Sequence, residues 1–362
     1  MVPNTLSLLF LLASLASACE FPAIINFGDS NSDTGGYAAA FGALPPPYGE
    51  TYFGSPVGRY SDGRLIIDFI AERLKLPYLS AYLNSMGTNF SCGVNFASSG
   101  SSVLPPTMIN FNPISLNIQF LQFLEFKSKS TLISKQGGFF KDLMPKQDYF
   151  SRALYTIDIG QNDIAHAYVL NMTQVEIKLF IPSILDRLSM TIKDIYGEGG
   201  RFFWIHNTAP LGCLPYLLDR IPPTQDQMDK TGCSNPVNEV AQYFNSRLNE
   251  TVVQLRRDLP SATFTYVDIY SVKYKLISQA TQYGFEHPLQ ACCGRGGGKY
   301  NYDRFGRCFE NVKGLRSCSD PSARISFDGI HFTDAANRWI FERISGGAFS
   351  DPSTSLINAC QQ

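Results

Sequence analysis

Two short polar segments, far apart in the chain, contain residue types that together perform nucleophilic catalysis. The first is Gly-Asp-Ser-Asn at 28–31, which includes Ser30, and the second is Asp-Gly-Ile-His at 328–331. A serine hydroxyl is a weak nucleophile until a neighbouring base takes its proton, and histidine titrates near neutral pH. A carboxylate on the other ring nitrogen fixes the tautomer and stabilises the imidazolium. We therefore expect Ser30 as nucleophile, His331 as base and Asp328 as the carboxylate that orients it.

Each of these segments also has a purely structural interpretation. Ser, Asp, Asn and Gly are common in turns and at helix N-caps, and the stretch around Ser30, taken alone, favours that interpretation. The stretch around His331 would then be a surface turn before a capped helix. The spacing favours chemistry, because among the four histidines His331 is the one with a carboxylate this close in a glycine-containing turn.

Two further segments could supply hydrogen-bond donors to the oxyanion that forms when a nucleophile attacks a carbonyl. Asn162 lies in Gly-Gln-Asn-Asp at 160–163, and its side-chain amide could donate to such an oxygen. Gly100 lies in a serine-rich stretch at 95–101, where the missing side chain would let a substrate oxygen approach the backbone N–H. Taken singly, the first segment is a turn or helix N-cap and the second is a serine-rich loop.

The elements that would position these segments alternate between short apolar runs and amphipathic stretches. The apolar runs predict five strands, at 21–27, 93–97, 153–159, 202–206 and 263–267, and a further strand at 324–327. Helical spacing predicts helices at 63–76 (N-cap Asp62), 114–126, 175–196, 237–259, 270–283 and 333–344 (N-cap Thr333). This alternation predicts an α/β protein with a five-stranded parallel sheet in a flavodoxin-like, three-layer α/β/α sandwich.

In such sheets, ligands bind beyond the carboxyl ends of the strands, where the segments with Ser30, Gly100 and Asn162 are placed. No change of composition separates two domains, so residues 19–362 are expected to form a single domain. The stretches Pro45-Pro46-Pro47 and 294–320 look like surface insertions.

The N-terminus has the features of a secretory signal peptide over residues 1–18. An apolar run from Leu6 to Ala18 ends in Ala-Ser-Ala, which suits signal peptidase. Residues 1–5 contain no Lys or Arg, so the α-amino group alone supplies positive charge. A buried strand or an uncleaved anchor is the alternative, but the run is short for a bilayer. We expect a secreted, extracellular protein, located in the apoplast or cell wall if it comes from a plant.

The sequence argues against nucleic-acid partners and against membrane insertion, and it favours attached N-glycans. The formal net charge is −1 and no dense Lys/Arg run is present, so we expect no nucleic-acid partner. After the first 18 residues no segment approaches 18 uninterrupted apolar residues, so stable membrane insertion is not expected. Three triplets fit the N-glycosylation pattern, with Asn89, Asn171 and Asn249 as the acceptors.

Cysteine usage agrees with an oxidising compartment. Of nine cysteines, Cys292, Cys293, Cys308 and Cys318 lie in a glycine-rich stretch, where disulfides would hold a loop that lacks a core. The odd total leaves one thiol free or available to a second chain, and the spacing does not define the pairing. Zinc binding by the same cysteines is the rival interpretation. It is disfavoured, because adjacent cysteines chelate poorly and no CxxC pair is present.

Taken in chain order, the four polar segments resemble the sequence blocks of the GDSL-type esterases and lipases of the SGNH hydrolase superfamily. The resemblance is closest to the plant branch of that family and extends from Phe21 to about Ile344. It includes the stretches Gly-Arg-Tyr-Ser-Asp-Gly-Arg at 58–64 and Pro-Leu-Gly-Cys-Leu-Pro at 210–215.

The resemblance implies the SGNH hydrolase fold and gives each site residue a role. Ser30 would be the nucleophile and, through its N–H, the first oxyanion donor, with the N–H of Gly100 and the side chain of Asn162 as the others. His331 would be the base and Asp328 its orienting carboxylate. Similar proteins use no metal or organic cofactor. Plant members are typically secreted and act on carboxylic esters, from acyl lipids to acetylated sugars and specialised metabolites.

Two positions depart from the family pattern. Asn31 stands where the name-giving Gly-Asp-Ser-Leu motif has leucine, but this side chain has no chemical role. Many relatives have paired glycines where this chain has Ser99-Gly100, so the backbone N–H of Ser99 is an alternative donor to that of Gly100.

The expected activity is hydrolysis of a carboxylic ester through an acyl-enzyme, with a small-molecule, lipid or acylated-glycan ester as substrate. An acyltransferase with the same three catalytic residues would differ in passing the acyl group to an alcohol instead of water. A secreted binding glycoprotein without turnover is the alternative from another class. The presence of Ser30, Asp328 and His331 together argues against it.

Overall fold

The computed structural model of the protein describes residues 19–84, 86–105, 112–295, 298–303, 308 and 314–361. The expected signal peptide, residues 1–18, lies outside the described residues. Among the helices in this part of the chain, none combines the length and the apolar character needed to cross a bilayer.

The central sheet confirms the predicted α/β architecture. Its parallel strands are β1 (Ile24–Gly28), β2 (Gly93–Asn95), β3 (Leu154–Asp158), β4 (Phe202–His206) and β5 (Thr263–Val267), in the spatial order β2-β1-β3-β4-β5. Nearly all of these residues are buried, which explains why the strands read as continuous apolar runs. β4 and β5 have the predicted bounds. The sequence did not predict a further edge strand, which is two residues long (Ser350–Asp351) and pairs antiparallel with β5.

Helices form the layers that cover the sheet. They are α1 (Gly36–Phe41), α2 (Ile66–Arg73), α3 (Leu116–Gln136), α4 (Tyr149–Arg152), α5 (Gln161–Val169), α6 (Gln174–Gly197), α7 (Pro215–Arg220), α8 (Asn235–Asp258), α9 (Ile269–Ser278) and α10 (Asp334–Ile344). One layer contains α6, which packs against α3 and α8. The other contains α10, which packs against α2 and α9. The helices α1, α4, α5 and α7 were not predicted. Three of them, α1, α4 and α7, have only four to six residues, too few to show an apolar period, and α5 begins in the 160–163 segment, for which a turn or helix N-cap was the structural interpretation.

Aromatic side chains fill the core behind the ends of the strands. Phe27 stacks on Phe96 at 5.4 Å and meets Phe123 edge-on at 5.8 Å, while Phe203 stacks on Phe264 at 4.8 Å. All five side chains are buried. Burial of each contributes about 1.5–3 kcal/mol, so the strands form a rigid base for the loops that follow them.

A separate two-stranded parallel sheet pairs β6 (Glu286–Ala291) with β7 (Arg324–Ser326). The predicted strand at 324–327 is therefore present, but outside the central sheet, and it leads directly into Asp328. Thr333 is the N-cap of α10, as predicted, since its side chain accepts from the N–H of Ala336. The predicted N-cap at Asp62 is wrong. α2 begins at Ile66, and the Asp62 carboxylate instead accepts from the backbone of Asp334 at 2.8 Å.

The disulfide prediction is confirmed. Four bridges join described residues: Cys19–Cys360, Cys213–Cys233, Cys292–Cys318 and Cys293–Cys308. Cys92 is a free thiol. All four cysteines of the glycine-rich stretch are thus paired with one another, and no thiolate remains there to bind zinc.

Candidate active site

A cavity of about 380 Å³ lies beyond the carboxyl ends of β1 and β3. Most of the predicted site residues line it. The lining residues are Ser30, Tyr37, Tyr60, Ser99, Gly100, Asn112, Gln161, Asn162, Ala165, His166, Leu214, Tyr216, Ile330 and His331. The structure therefore brings all four polar segments together, and Asp328 lies behind His331.

A ladder of polar side chains across three strands supports the turn that contains Ser30. Asn26, in the middle of β1, donates to Asn95 Oδ1 at 2.7 Å and to Ser32 Oγ at 3.0 Å, and it accepts from Thr156 at 2.6 Å. Because these groups are buried, they need partners inside the protein. The ladder provides them and fixes the turn against the sheet.

Asp33 joins this turn to the loop after β2. Its carboxylate accepts from the backbone N–H groups of Gly35, Gly36 and Tyr37, and from that of Ser99 at 2.8 Å. Burial raises the pKa of Asp33, and the backbone donors offset part of that rise. Asp33 thus ties together the two loops that bring Ser30 and Gly100 to the cavity.

His331 and Asp328 form a close pair. Nδ1 of His331 lies 2.6 Å from Oδ2 of Asp328, and the other carboxylate oxygen accepts from the backbone N–H groups of Ile330 at 3.0 Å and His331 at 2.8 Å. The two residues are 4% and 3% exposed, so this segment is not a surface turn. Burial acts to raise the pKa of Asp328, but the charge of His331 and these hydrogen bonds outweigh it and lower the pKa.

The second ring nitrogen of His331 is available for chemistry. Its Nε2 is buried and has no hydrogen-bond partner among the described residues. Ser30, which is 4% exposed, lines the same cavity. In unliganded enzymes the bond between base and nucleophile is often long and shortens when substrate binds. This arrangement suits a base that receives a proton from within the cavity.

The candidate oxyanion donors differ in how they are already bonded. The backbone N–H of Ser99 donates to Asp33, so it is engaged. The N–H groups of Ser30 and Gly100 have no acceptor within the described part of the chain. Asn162, in the first turn of α5, donates through Nδ2 to the carbonyl oxygen of Ser101 at 2.9 Å and approaches Asp29 Oδ2 at 3.4 Å. Of the two backbone alternatives, the free one is therefore Gly100.

Ionisable groups are buried beneath the turn with Ser30. Burial and the nearby charge of Asp158 raise the pKa of Asp29 to about 8. Asp158 Oδ2 lies 3.4 Å from Nδ1 of His206, and the indole N–H of Trp204 donates to Nε2 of His206 at 3.1 Å. Because an indole only donates, Nε2 is the acceptor in neutral His206 and Nδ1–H points to Asp158.

Sequence reasoning missed one buried contact to the candidate catalytic pair. The hydroxyl of Tyr48 donates to Asp328 Oδ2 at 2.7 Å. Tyr48 directly follows the proline run that was expected to be a surface insertion, yet it is fully buried. An aromatic residue after three prolines was the available signal, but its partner lies 280 residues away.

The three expected glycosylation acceptors differ in accessibility. Asn89 and Asn171 are exposed, whereas Asn249 is half-buried within α8 and its Oδ1 is buried without a partner among the described residues. The same part of the chain contains no group of three or more His, Cys, Asp or Glu side chains placed to hold a metal ion.

Comparison with known proteins gives consistent matches over most of the chain. The model of the family described as GDSL-like Lipase/Acylhydrolase matches residues 24–344. A GDSL esterase/lipase of Arabidopsis thaliana is 56% identical, over 95% of this chain and 93% of its own. An esterase of Hevea brasiliensis is 51% identical (99% and 94%), and a protein of Arabidopsis thaliana named alpha-L-fucosidase 3 is 49% identical (95% and 96%).

Proposed function

The chain belongs to the GDSL-like lipase/acylhydrolase family and is an ester-bond hydrolase, and we propose that it cleaves carboxylic esters with Ser30 as nucleophile, His331 as base and Asp328 as orienting carboxylate. One observation carries this proposal. His331 is bonded to Asp328 through Nδ1 at 2.6 Å, and His331, whose Nε2 has no hydrogen-bond partner in the described part of the chain, lines the same cavity as Ser30.

The reaction proceeds in two acyl-transfer steps. Ser30 Oγ attacks the ester carbonyl while His331 Nε2 takes the hydroxyl proton, and the tetrahedral intermediate collapses as His331 returns that proton to the leaving alcohol. Water then attacks the acyl-serine with His331 again as base. The acid leaves, and Ser30 regains its proton. Asp328 stays ionised throughout and stabilises the imidazolium, which agrees with its lowered pKa.

The tetrahedral intermediate carries its negative charge on the former carbonyl oxygen. We assign its stabilisation to the backbone N–H groups of Ser30 and Gly100 and to the amide of Asn162. The two N–H groups have no acceptor among the described residues, so they need not break a bond before they donate. Donors fixed in advance in this way lower the barrier without reorganisation.

We infer an ester with a short acyl group, because a cavity of about 380 Å³ has to hold the ester group together with its acyl and alcohol parts. Its wall combines aromatic side chains (Tyr37, Tyr60 and Tyr216) with apolar and amide groups, so we infer a small or polar alcohol part. Among the described residues that line it, none has a carboxylate side chain. A glycosidase needs a pair of carboxylates, so the cavity favours ester over glycoside hydrolysis.

A serine-directed fluorophosphonate tests the nucleophile. We expect mass spectrometry to find the adduct on Ser30, and Ser30→Ala to lower kcat by about 10⁴-fold or more with an unchanged melting temperature. Ser151→Ala, at an exposed serine of α4, serves as the control with normal activity. Labelling of a different serine, or turnover by Ser30→Ala near the wild-type rate, would overturn the assignment.

A substrate panel tests the proposed class. We expect kcat/KM to fall as the acyl chain of p-nitrophenyl esters lengthens, and acetylated glycans to be hydrolysed. Added alcohol separates hydrolase from acyltransferase, because a transferase would form the new ester as its main product. A preference for long-chain triacylglycerol would contradict the size argument.

We also propose that the protein is secreted and glycosylated. Cys19 would be the first residue after cleavage at Ala18, and its disulfide to Cys360 requires an oxidising compartment. When the full chain is expressed in plant cells, the protein recovered from the culture medium should begin at Cys19. Asn→Gln variants at Asn89 and Asn171 should each lose one glycan by mass, with Asn249 the least occupied. Cell-retained protein that keeps Met1 would refute secretion.

A further inference from the structure

The carboxylate of Asp328 has a second side-chain partner besides His331. We propose that Tyr48 is a positioning residue for the reaction, whose hydroxyl holds Asp328 in the orientation that directs His331 toward the cavity. This inference rests on the proposed roles of Ser30, His331 and Asp328.

The contacts leave Asp328 one orientation in which all of its bonds are made. Oδ2 accepts from Tyr48 at 2.7 Å and lies 2.6 Å from His331 Nδ1, and Oδ1 accepts from the backbone N–H groups of Ile330 and His331. Rotation of the carboxylate about its Cβ–Cγ bond would break several of these contacts at once. The hydroxyl of Tyr48 is the one donor in this set that comes from outside the 328–331 segment.

The ring of Tyr48 is itself held on two sides. It meets Phe327 edge-on at 5.1 Å and Tyr60 at 5.8 Å, and Tyr60 in turn packs against the ring of His331 at 5.0 Å. Tyr48 has no exposed surface. A phenylalanine would fill the same space, so what tyrosine adds is the hydroxyl and its bond to Asp328.

Tyr48 acts through Asp328 and not on the substrate. It is absent from the lining of the cavity, so it has no path to the reacting atoms. Burial and the charge of Asp328 raise the pKa of Tyr48, so the phenol remains a proton donor. Loss of the hydroxyl would leave Oδ2 with His331 as its one side-chain partner among the described residues. The carboxylate would then rotate more freely, and the pair would hold its proton more tightly.

The test compares two variants that each lose one buried hydroxyl. Tyr48→Phe removes the bond to Asp328. Tyr155→Phe is the matched control, because Tyr155 is also fully buried and donates at 2.7 Å, but to the carbonyl oxygen of Phe150, outside the cavity lining. Wild-type protein and Ser30→Ala are measured beside them, with kcat and KM on p-nitrophenyl acetate over pH 5–9.

We expect Tyr48→Phe to lower kcat by roughly 10-fold with KM unchanged, and to move the acid limb of the kcat profile to higher pH. The downfield proton NMR signal of the His331–Asp328 hydrogen bond should shift as well. Both variants should lower the melting temperature by a similar few degrees, because each loses one buried hydrogen bond. Tyr155→Phe should change neither kcat nor the NMR signal.

The outcomes separate the two proposals. If Ser30→Ala is inactive and Tyr48→Phe matches wild type in kcat, pH profile and NMR signal, the positioning role is refuted and the proposed function stands. If both Tyr→Phe variants lose kcat equally, the effect is one of stability and the positioning role is again refuted. If Ser30→Ala remains active, the proposed function itself fails.

Discussion

The side-chain amide of Gln119 binds both backbone groups of Gly28, the last residue of β1. Its Nε2 donates to the carbonyl oxygen of Gly28 at 2.8 Å, and its Oε1 accepts from the N–H of Gly28 at 3.0 Å. Gly28 has no room for a side chain, since a Cβ there would lie 2.3 Å from Ser32 Oγ. Helix α3 therefore fixes the position of the strand end from which the turn with Ser30 begins.

Replacement of Gln119 by leucine should misplace this turn. The variant leaves the N–H of Gly28 buried without a partner, which destabilises the protein by about 1–3 kcal/mol. We expect kcat to fall roughly 10-fold as Ser30 shifts. Urea unfolding and ester hydrolysis measure the two effects. Gln136→Leu, at the exposed end of the same helix, should change neither quantity, and equal losses in both variants would contradict this account.

Asp29 should make stability depend on pH. Its pKa is raised to about 8 from a reference value of 3.8. Between these values the folded protein holds a proton that the unfolded chain releases, so the free energy of unfolding falls as pH rises. The stability that Asp29 provides below about pH 4 is lost by about pH 8. Asp29→Asn lacks this dependence, so it should gain stability relative to wild type as pH rises to 8, with no further gain above.

Asp163→Asn is the matched control for that experiment. Burial raises the pKa of Asp163 to about 6, and its carboxylate accepts from the N–H groups of Val103 and Leu104. The gain in stability of Asp163→Asn over the wild type should therefore level off near pH 6, whereas the gain of Asp29→Asn continues to about pH 8. Urea unfolding at half-unit steps from pH 5 to 9 resolves the two. Parallel stability curves for Asp29→Asn and wild type would refute the raised pKa.

The sheet could be predicted from the sequence because its strands are buried on both faces. Such strands are short apolar runs, and Phe202–His206 and Thr263–Val267 have the predicted bounds. The edge strand Ser350–Asp351 has two polar residues and no apolar pattern, so nothing in the sequence marked it. Its pairing with β5 depends on contacts that form only in the folded chain.

Part of the candidate site could likewise be predicted from the sequence, and part could not. Ser30, Gly100 and Asn162 were predictable, because each directly follows a strand and parallel strands bring such positions to one edge. Tyr48 and Gln119 were not, because their partners lie 280 and 91 residues away and a lone buried polar residue has no local signature. Long-range hydrogen bonds of this kind become visible only in three dimensions.

The bridge Cys293–Cys308 should support activity as well as stability. The backbone N–H of Cys293 donates to the carbonyl oxygen of Phe327 at 2.6 Å, so the bridge lies against the residue that precedes Asp328. Cys293 and Cys308 also share a buried cluster with Tyr48 and Phe327. We expect the double Cys→Ser variant to lower kcat roughly 5-fold at a temperature where it remains folded, because Asp328 loses support.

The double Cys→Ser variant of Cys19–Cys360 is the control. That bridge joins residues 341 apart in sequence and lies at the chain ends. Its loss should destabilise the protein by about 2–5 kcal/mol and leave kcat unchanged below the melting temperature. Calorimetry measures the loss of stability, and initial rates give kcat. If kcat falls only in proportion to lost stability in both variants, the bridge at Cys293 has no special connection to the site.

Asn162 should contribute to turnover through the hydrogen that it shares weakly with Asp29. One amide hydrogen is fixed by the carbonyl oxygen of Ser101 at 2.9 Å, which orients the side chain. The other lies toward Asp29 at a Nδ2–Oδ2 distance of 3.4 Å, near the limit of a hydrogen bond, so it is weakly bonded and an oxyanion can accept it at little cost. Asn162→Ala should lower kcat about 10²–10³-fold with little change in KM.

This account links Asn162 to the protonation of Asp29. Above about pH 8, the ionised Asp29 would compete with the oxyanion for the same amide hydrogen and would repel its charge. The alkaline fall in kcat should therefore weaken in Asp29→Asn. In the Asn162→Ala background, Asp29→Asn should relieve the alkaline fall in kcat less than it does in the wild type, because the competition requires the amide of Asn162. Phosphonate inactivation rates should follow kcat across the series. Equal relief in both backgrounds, or inactivation that Asn162→Ala leaves unchanged, would remove Asn162 from the oxyanion site.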